Sequence, residues 1–502
     1  MKKITRILGV GSYLITGSVL ALAALVSLYL VPPAIARAAT LPTYNYTKTF
    51  DTTSGFAQSF GVTTDAAGNI YTAGEWNGTV IFDGPGGSDS QTSANYSVFV
   101  TKYSNSGNYD WTKTFAVSSG TAEAGGITTD SSGDIFVDGN FSGTVIFDGS
   151  GGSDSVTSTD TSAFITKYNA DGSYGWTKTF DTTNGSAYGF SVATDSAGDV
   201  YTTGQFNGTV VFDGVGGSDS QTAEGSNISA YITKYNADGS YGWTKTFDST
   251  HGNAYGYGLT VDAQGNIYET GNFTGTIVFD GVGGSDSQTD LGTYSQGDAY
   301  LTKYNADGSY GWTKTFDTTN GYANSVSVTT DSLGDVYFTG EFSGTVVFDG
   351  VGGSDSQTDV SGDGDTFLTQ ITATGNYGWT KIFGTVHSGG VGDPGGQAVA
   401  TDTLGNVYIS GDWNGTVTFD GTGGSDTLTS NSISAFLTSY DAFVPAPIVT
   451  TSAPTTSATT SPSTPNTGFA LVKANFGWSL LGIVATTTGI FILSRFVKKS
   501  TH

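Results

Sequence analysis

The sequence predicts an all-β fold, a six-bladed β-propeller, on three observations. First, W-T-K-T-F or a close variant recurs at Tyr46–Phe50 and from Trp111, Trp176, Trp243, Trp312 and Trp379, at intervals of 65, 65, 67, 69 and 67 residues. A fixed period of this kind means one supersecondary unit copied and stacked. Second, each copy consists of short runs of β-branched and aromatic residues punctuated by Gly, Asp, Asn and Ser, without helical apolar spacing. Third, each copy reads as about four antiparallel strands, and six such units closing around an axis make a propeller.

The elements follow in chain order. Lys2, Lys3 and Arg6 precede an apolar run from about Ile7 to Val31, and Ala36-Arg37-Ala38 has a small-x-small pattern. This predicts a signal peptide over residues 1–38, cut after Ala38. The run is longer than a usual signal core, so an uncleaved membrane helix is the alternative. Residues 40–445 form the repeat body. In its third unit the pattern predicts strands at Trp176–Phe180, Ser191–Thr194, Val200–Phe206 with Gly208–Phe212, and Ala230–Tyr235. A Thr-, Asn- and Gly-rich loop follows Phe180, and turns sit at 195–199, 213–220 and 236–239. The first W-T-K-T-F copy precedes any complete unit, and the sixth unit ends without one. The N-terminal strand is therefore expected to supply the outermost strand of the last blade and so remove the open edges.

Residues 446–467 are almost all Ser, Thr, Pro and Ala and read as an extended stalk. An apolar segment over 476–494 is long enough to cross a bilayer, and the basic tail 495–502 (Arg495, Lys498, Lys499) places that end inside.

Two resemblances rest on these motifs. The order D-x-x-G-[ND]-[IV]-[YF] (Asp65 to Tyr71, Asp262 to Tyr268), F-x-T-K-Y-N-A-D-G and W-T-K-T-F resembles the bacterial β-propeller repeats named for a seven-bladed propeller, over about Tyr44 to Phe443. The family name implies seven blades, whereas six copies are present here. Residues 464–468, with the following span and basic tail, resemble the L-P-x-T-G cell-wall sorting signal. Pro465, Thr467 and Gly468 match, and Thr464 stands where that family has Leu. The resemblance implies a sortase that cleaves after Thr467 and joins it to a cell-wall amine. A retained transmembrane anchor is the alternative. Either way, the body is expected on the outer face of the cell membrane or wall.

Charge narrows the function. All 44 acidic residues lie between Asp51 and Asp441, and the body holds 10 lysines and no arginine, a formal −34. Every lysine occupies a repeat position, either in W-T-K-T-F or in T-K-Y. Nucleic-acid binding lacks its electrostatic footprint. The repeat lysines are expected to pair with repeat aspartates at the rim or between blades, and the repeat aromatics to form the core. With no Cys and only His251 and His387 in the body, nucleophilic triads lack their parts. Glu75, Glu123, Glu224, Glu269 and Glu341 break the repeat symmetry, but the sequence assembles no constellation from them.

The F-D-G-x-G-G-S-D segments carry the aspartate pairs Asp83/Asp89, Asp148/Asp154, Asp213/Asp219, Asp280/Asp286, Asp349/Asp355 and Asp420/Asp426. Two readings stand for them: hairpin turns, or Ca²⁺ sites with carboxylate and carbonyl ligands. Their loops vary between copies and share one face, whereas the D-x-x-G and N-A-D-G turns on the other face hardly vary. Variation on a rigid frame is where binding usually sits. The expected function is a non-catalytic, surface-anchored propeller for adhesion or for binding a glycan or protein. A glycan-active hydrolase or lyase and a structural coat protein are the alternatives.

Overall fold

Each repeat folds as one twisted antiparallel sheet. The computed structural model describes residues 47–441 except 292–296, 351–352, 360–363, 384, 387–394 and 420–425. The signal segment with Ala38, the stalk, Pro465, Thr467, Gly468, the 476–494 span, His387 and Asp420 lie outside the described residues. The described residues contain no helix, and so none long and apolar enough to cross a membrane.

Blade 1 consists of Asp51–Thr64, Ile70–Ile81, Ser90–Tyr103 and Tyr109–Thr114, paired in that order from inner to outer strand. Blade 2 repeats it with Ala116–Thr129, Ile135–Ile146, Ser155–Tyr168 and Tyr174–Thr179. Blades 3, 4 and 5 occupy 181–246, 248–316 and 318–383, and in each the third strand is split in two. Blade 6 pairs Val407–Thr418 with Thr385–Val386, Gly395–Thr401 and Thr427–Tyr440. The molecule is a six-bladed β-propeller. Successive inner strands lie side by side, and Thr129, Thr194 and Thr401 each donate a hydroxyl to a carbonyl of the preceding blade at 2.8–3.0 Å.

The strands are longer than the sequence pattern suggests. In blades 1 to 5 the segment after W-T-K-T-F is not a loop. It is the first half of a 14-residue inner strand, with Asp51 opposite Ile81 and Asp181 opposite Val211. Likewise 200–206 and 208–212 belong to one strand, Val200–Val211. The inner-strand halves are rich in Thr, Ser, Asn and Gly, so no apolar alternation marks them, although the second strand still buries Val80, Val145 and Val210 at their level.

The expected closing strand, Tyr46–Phe50, lies partly outside the described residues. Residues 47–50 form no strand, and among the described residues the last strand of blade 6 pairs only with Val407–Thr418. In the other blades an N-A-D-G-type hairpin delivers the outer strand to its partner. Val62 on the inner strand of blade 1 is 70% exposed, whereas its equivalents Ile127, Val192, Leu259, Val328 and Val399 are 9% or less.

The repeat motifs are explained by packing. In D-x-x-G-[ND], Asp65 accepts the Ala67 and Asn69 N–H groups at 3.0 and 2.9 Å, and its second oxygen accepts the Tyr71 hydroxyl at 2.9 Å. The side-chain acceptor closes the turn and orients the next strand. The phenylalanine ending W-T-K-T-F enters the next blade: Phe115 meets Phe147 and Phe164 at 5.0 and 5.3 Å, edge to face. Phe180, Phe247 and Phe316 repeat this contact, and Phe50 does the same for blade 1. Edge-to-face rings are the favoured aromatic geometry. The preceding tryptophans are half-buried and lie against the N-A-D-G turn of the next blade. A Cβ on Gly172 would come within 2.9 Å of the Trp111 ring.

The lysines divide as their motifs do. Lys167 and Lys234 of T-K-Y pair with Asp134 and Asp199 of their own blades at 2.6 Å. Lys113, Lys178, Lys245 and Lys314 of W-T-K-T-F lie over their own tryptophan rings at 5.2–5.5 Å.

Candidate functional site

The F-D-G turns are built inward. Asp83 accepts the N–H groups of Ser88 and Asp89 at 2.7 and 3.0 Å, and Asp148, Asp213, Asp280 and Asp349 repeat this in their copies. The Ser88 N–H first, and the Asp89 N–H with it, hold the Asp83 carboxyl below the usual range. A Cβ on Gly87 would lie 2.0 Å from that carboxylate, so the loop requires glycine there. The second aspartates Asp89, Asp154, Asp219, Asp286 and Asp355 accept the hydroxyls of Tyr109, Tyr174, Tyr241, Tyr310 and Tyr377. Among the described residues no group of three or more His, Cys, Asp and Glu is placed to hold a metal ion. In blade 6 the Phe419 N–H donates to the Asp426 carbonyl at 2.9 Å.

The same end of the molecule carries the non-repeating segments. In blade 1 four residues, 93–96, lie between Thr92 and Ser97 along the third strand. In blade 3 six residues, 223–228, replace them. In blades 4 and 5 the replacements are 290–297 and 359–364. These inserts lean on the following blade: Asn253 accepts the Ile228 N–H at 2.9 Å, and Ala323 donates to the Gly297 carbonyl at 2.9 Å. Three adjacent blades thus carry one run of variable sequence.

A second locus was invisible in the sequence. Every inner strand carries a β-bulge at one position, occupied in turn by Phe60, Gly125 with Gly126, Phe190, Tyr257, Val326 and Gln397. Bulges re-aim side chains and are common beside functional sites. Next to the bulges of blades 1 to 3 is a cavity of about 430 Å³ that includes Phe60, Glu75, Glu123, Gly125, Asn140 and Phe190 in its lining. Asn140 is 8% exposed and donates from Nδ2 to Glu123 at 3.3 Å. Burial, and then the charge of Glu123, push the Glu75 carboxyl up. Gly125 is obligatory, because a Cβ there would lie 2.3 Å from the Gly189 carbonyl oxygen. Beyond Phe190 the rings of Tyr188, Tyr257 and Tyr255 continue as a ladder at 5.6–6.3 Å.

Two other symmetry-breaking acids are fully buried between blades. Asp138 accepts the Thr202 hydroxyl of blade 3 at 2.7 Å and the Gly126 N–H at 2.6 Å. Burial pushes its carboxyl up to about 7. Glu269 accepts the Thr203 hydroxyl, and burial pushes it up to about 8. Both act as inter-blade struts. The remaining glutamates are apart from these: Glu224 sits in the blade 3 insert and Glu341 on the second strand of blade 5. His251 is exposed on the inner strand of blade 4.

The chain matches no known family profile. It is 29% identical over 212 residues to an uncharacterized WD repeat-containing protein of Acanthamoeba polyphaga mimivirus, covering 37% of this chain and 15% of that protein. The similarity is distant and consistent with a propeller repeat family. Among solved structures, a Synechocystis apocarotenoid oxygenase variant aligns at TM-score 0.29 and 12% identity over 62% of this chain and 56% of that one. A chimera built on the same oxygenase aligns at TM-score 0.29 and 10% identity over 71% and 59%.

Proposed function

We propose that this protein is a non-catalytic, surface-anchored β-propeller that binds a glycan or protein partner through the face bearing the F-D-G turns. One observation carries the reading: the non-repeating inserts fall in three successive blades, 3, 4 and 5, of an otherwise repeated frame. The repeated acids and lysines are engaged within that frame, in turns, ion pairs and ring contacts. A propeller scaffold with a distant WD-repeat relative suits a binding or scaffold role. The signal-like N-terminus, stalk and sorting-like C-terminus support display outside the cell, with Thr467 joined to the wall or the 476–494 span retained.

The test is to display the full chain on a host cell and measure binding to a panel of glycans and intact cells, in Ca²⁺ and in EDTA. The comparison is a variant whose 223–228 segment is replaced by the four-residue 93–96 segment of blade 1. Saturable binding that the replacement lowers at least tenfold is the expected result. Binding that EDTA abolishes would revive Ca²⁺ as a ligand of the F-D-G turns. Binding indifferent to the replacement would place the partner elsewhere.

A further inference from the structure

We propose that the axial cavity of blades 1 to 3 is a receptor for a primary alkylammonium group, held by the carboxylates of Glu75 and Glu123 between the rings of Phe60 and Phe190. This site is separate from the loop-bearing face and does not depend on that reading.

The positions around the axis are those at which the repeats stop agreeing. Elsewhere Asp, Lys, Trp and Phe recur in register. At the Glu75 position the next four blades carry Asn140, Gln205, Asn272 and Glu341, all polar, and at the Glu123 position blades 1, 3, 4 and 5 carry Gln58, Tyr188, Tyr255 and Asn324. The Glu75 and Glu123 side chains come together only where blade 1 meets blade 2. Glycine at the bulge of blade 2, where blades 1 and 3 carry phenylalanine, leaves the space between the two rings open. The resulting volume, about 430 Å³, is in the range of small-molecule sites.

The chemistry of the walls selects the ligand. Two carboxylates share a partly desolvated cleft, and the charge on Glu123 disfavours ionisation of Glu75. The ion pairs found among the described residues involve Lys102, Lys167 and Lys234, each with an aspartate, so neither glutamate is neutralised from within them. A cation entering the cleft relieves the repulsion. The phenyl faces favour an organic cation, which gains both cation–π attraction and apolar contact along its alkyl chain. A divalent metal ion fits less well, because the amide nitrogen of Asn140 is already turned onto Glu123 and among the described residues no third acidic group joins the pair. The ammonium group could belong to a free amine or to a lysine side chain of a partner peptide.

Calorimetric titration of the full-length protein in detergent micelles, at pH 7.5 and physiological salt, tests this. The probes are n-butylamine, Nα-acetyl-lysine methylamide, 1-butanol, CaCl₂ and a neutral disaccharide. The expected result is saturable binding of at least one ammonium probe, none of 1-butanol, and at least tenfold weaker binding in E75Q and in E123Q. Tighter binding of the lysine amide would assign a peptide source, and tighter binding of butylamine a free amine. Melting curves of the variants check that they fold. If they do not, loss of amine binding by the wild-type protein between pH 7 and pH 4 supports the carboxylates. Absence of binding by both ammonium probes, equal binding by the E75Q/E123Q double variant, or binding of the disaccharide alone overturns the proposal. The protein with its 223–228 insert replaced should bind the amine unchanged, which separates this site from the loop-bearing face.

Discussion

Asp138 and Glu269 show what one buried carboxyl does to a stack of sheets. Each is fully buried and reaches across to a threonine of a neighbouring blade. Burial raises both in the folded state, to about 7 and about 8, so between about pH 4 and those values the folded protein binds more protons than the unfolded chain. Stability is then greatest at the acid end of that window and falls as pH rises, with a slope near ~1.4 kcal/mol per pH unit for one proton. The melting temperature is expected to be higher at pH 5 than at pH 8.5. Asp138→Asn should flatten the part of that decline below about pH 7, and Glu269→Gln the part below about pH 8. A thermal melt series from pH 4.5 to 9 would contradict this if the variants kept the wild-type slope. Asp262 has a local role, its carboxylate accepting two N–H groups, an amide and a tyrosine hydroxyl of its own turn and strand. Asp262→Ala strands the buried Tyr268 hydroxyl and opens the turn held by the two N–H groups, and should cost about 1–3 kcal/mol in denaturant unfolding.

At the scale of the element, the unit that packs is not the unit that repeats. Phe247 ends the outer strand of blade 3, but it is 1% exposed against Phe279 and Tyr300 of blade 4. Phe247→Ala removes a buried ring from a seam and should cost about 3–5 kcal/mol. Hydrogen exchange should show the loss on both flanking blades; a loss confined to blade 3 would refute the seam. Much of this architecture was legible. The D-x-x-G, N-A-D-G and W-T-K-T-F segments have mechanical roles that their residue types announce, and both the blade count and the strand order follow from them. The long inner strands were not legible, because Thr52, Thr53 and Ser54 are polar and exposed. Nor was the axial cavity. Glu75 and Glu123 are 48 residues apart, in different blades, and only the bulges bring their side chains to one cleft. A sequence signal for it did exist: the residue before the core aromatic is polar in every copy, at a place where the frame needs nothing polar.

The whole molecule carries its acids on a body with few cations. Self-repulsion across such a body opposes compaction, and salt screens it over about 10 Å at 0.1 M. The melting temperature at pH 7.5 should therefore rise by several degrees between 10 and 200 mM NaCl. A flat response would show that the turn and seam interactions leave repulsion no measurable share. The exposed Val62 at one end of the stack and Leu437 at the other, 72% exposed, mark the two surfaces that no neighbouring blade covers among the described residues.

The phenylalanine seams also impose an order in time. Phe50 precedes blade 1, Phe115 precedes blade 2, and so on to Phe383 before blade 6, so the ring that completes each core is always encoded upstream of the sheet that receives it. A chain leaving a ribosome or an export channel N-terminus first would present the plug before the socket. No blade waits for residues still to come, and each finished blade holds out the ring around which the next can condense.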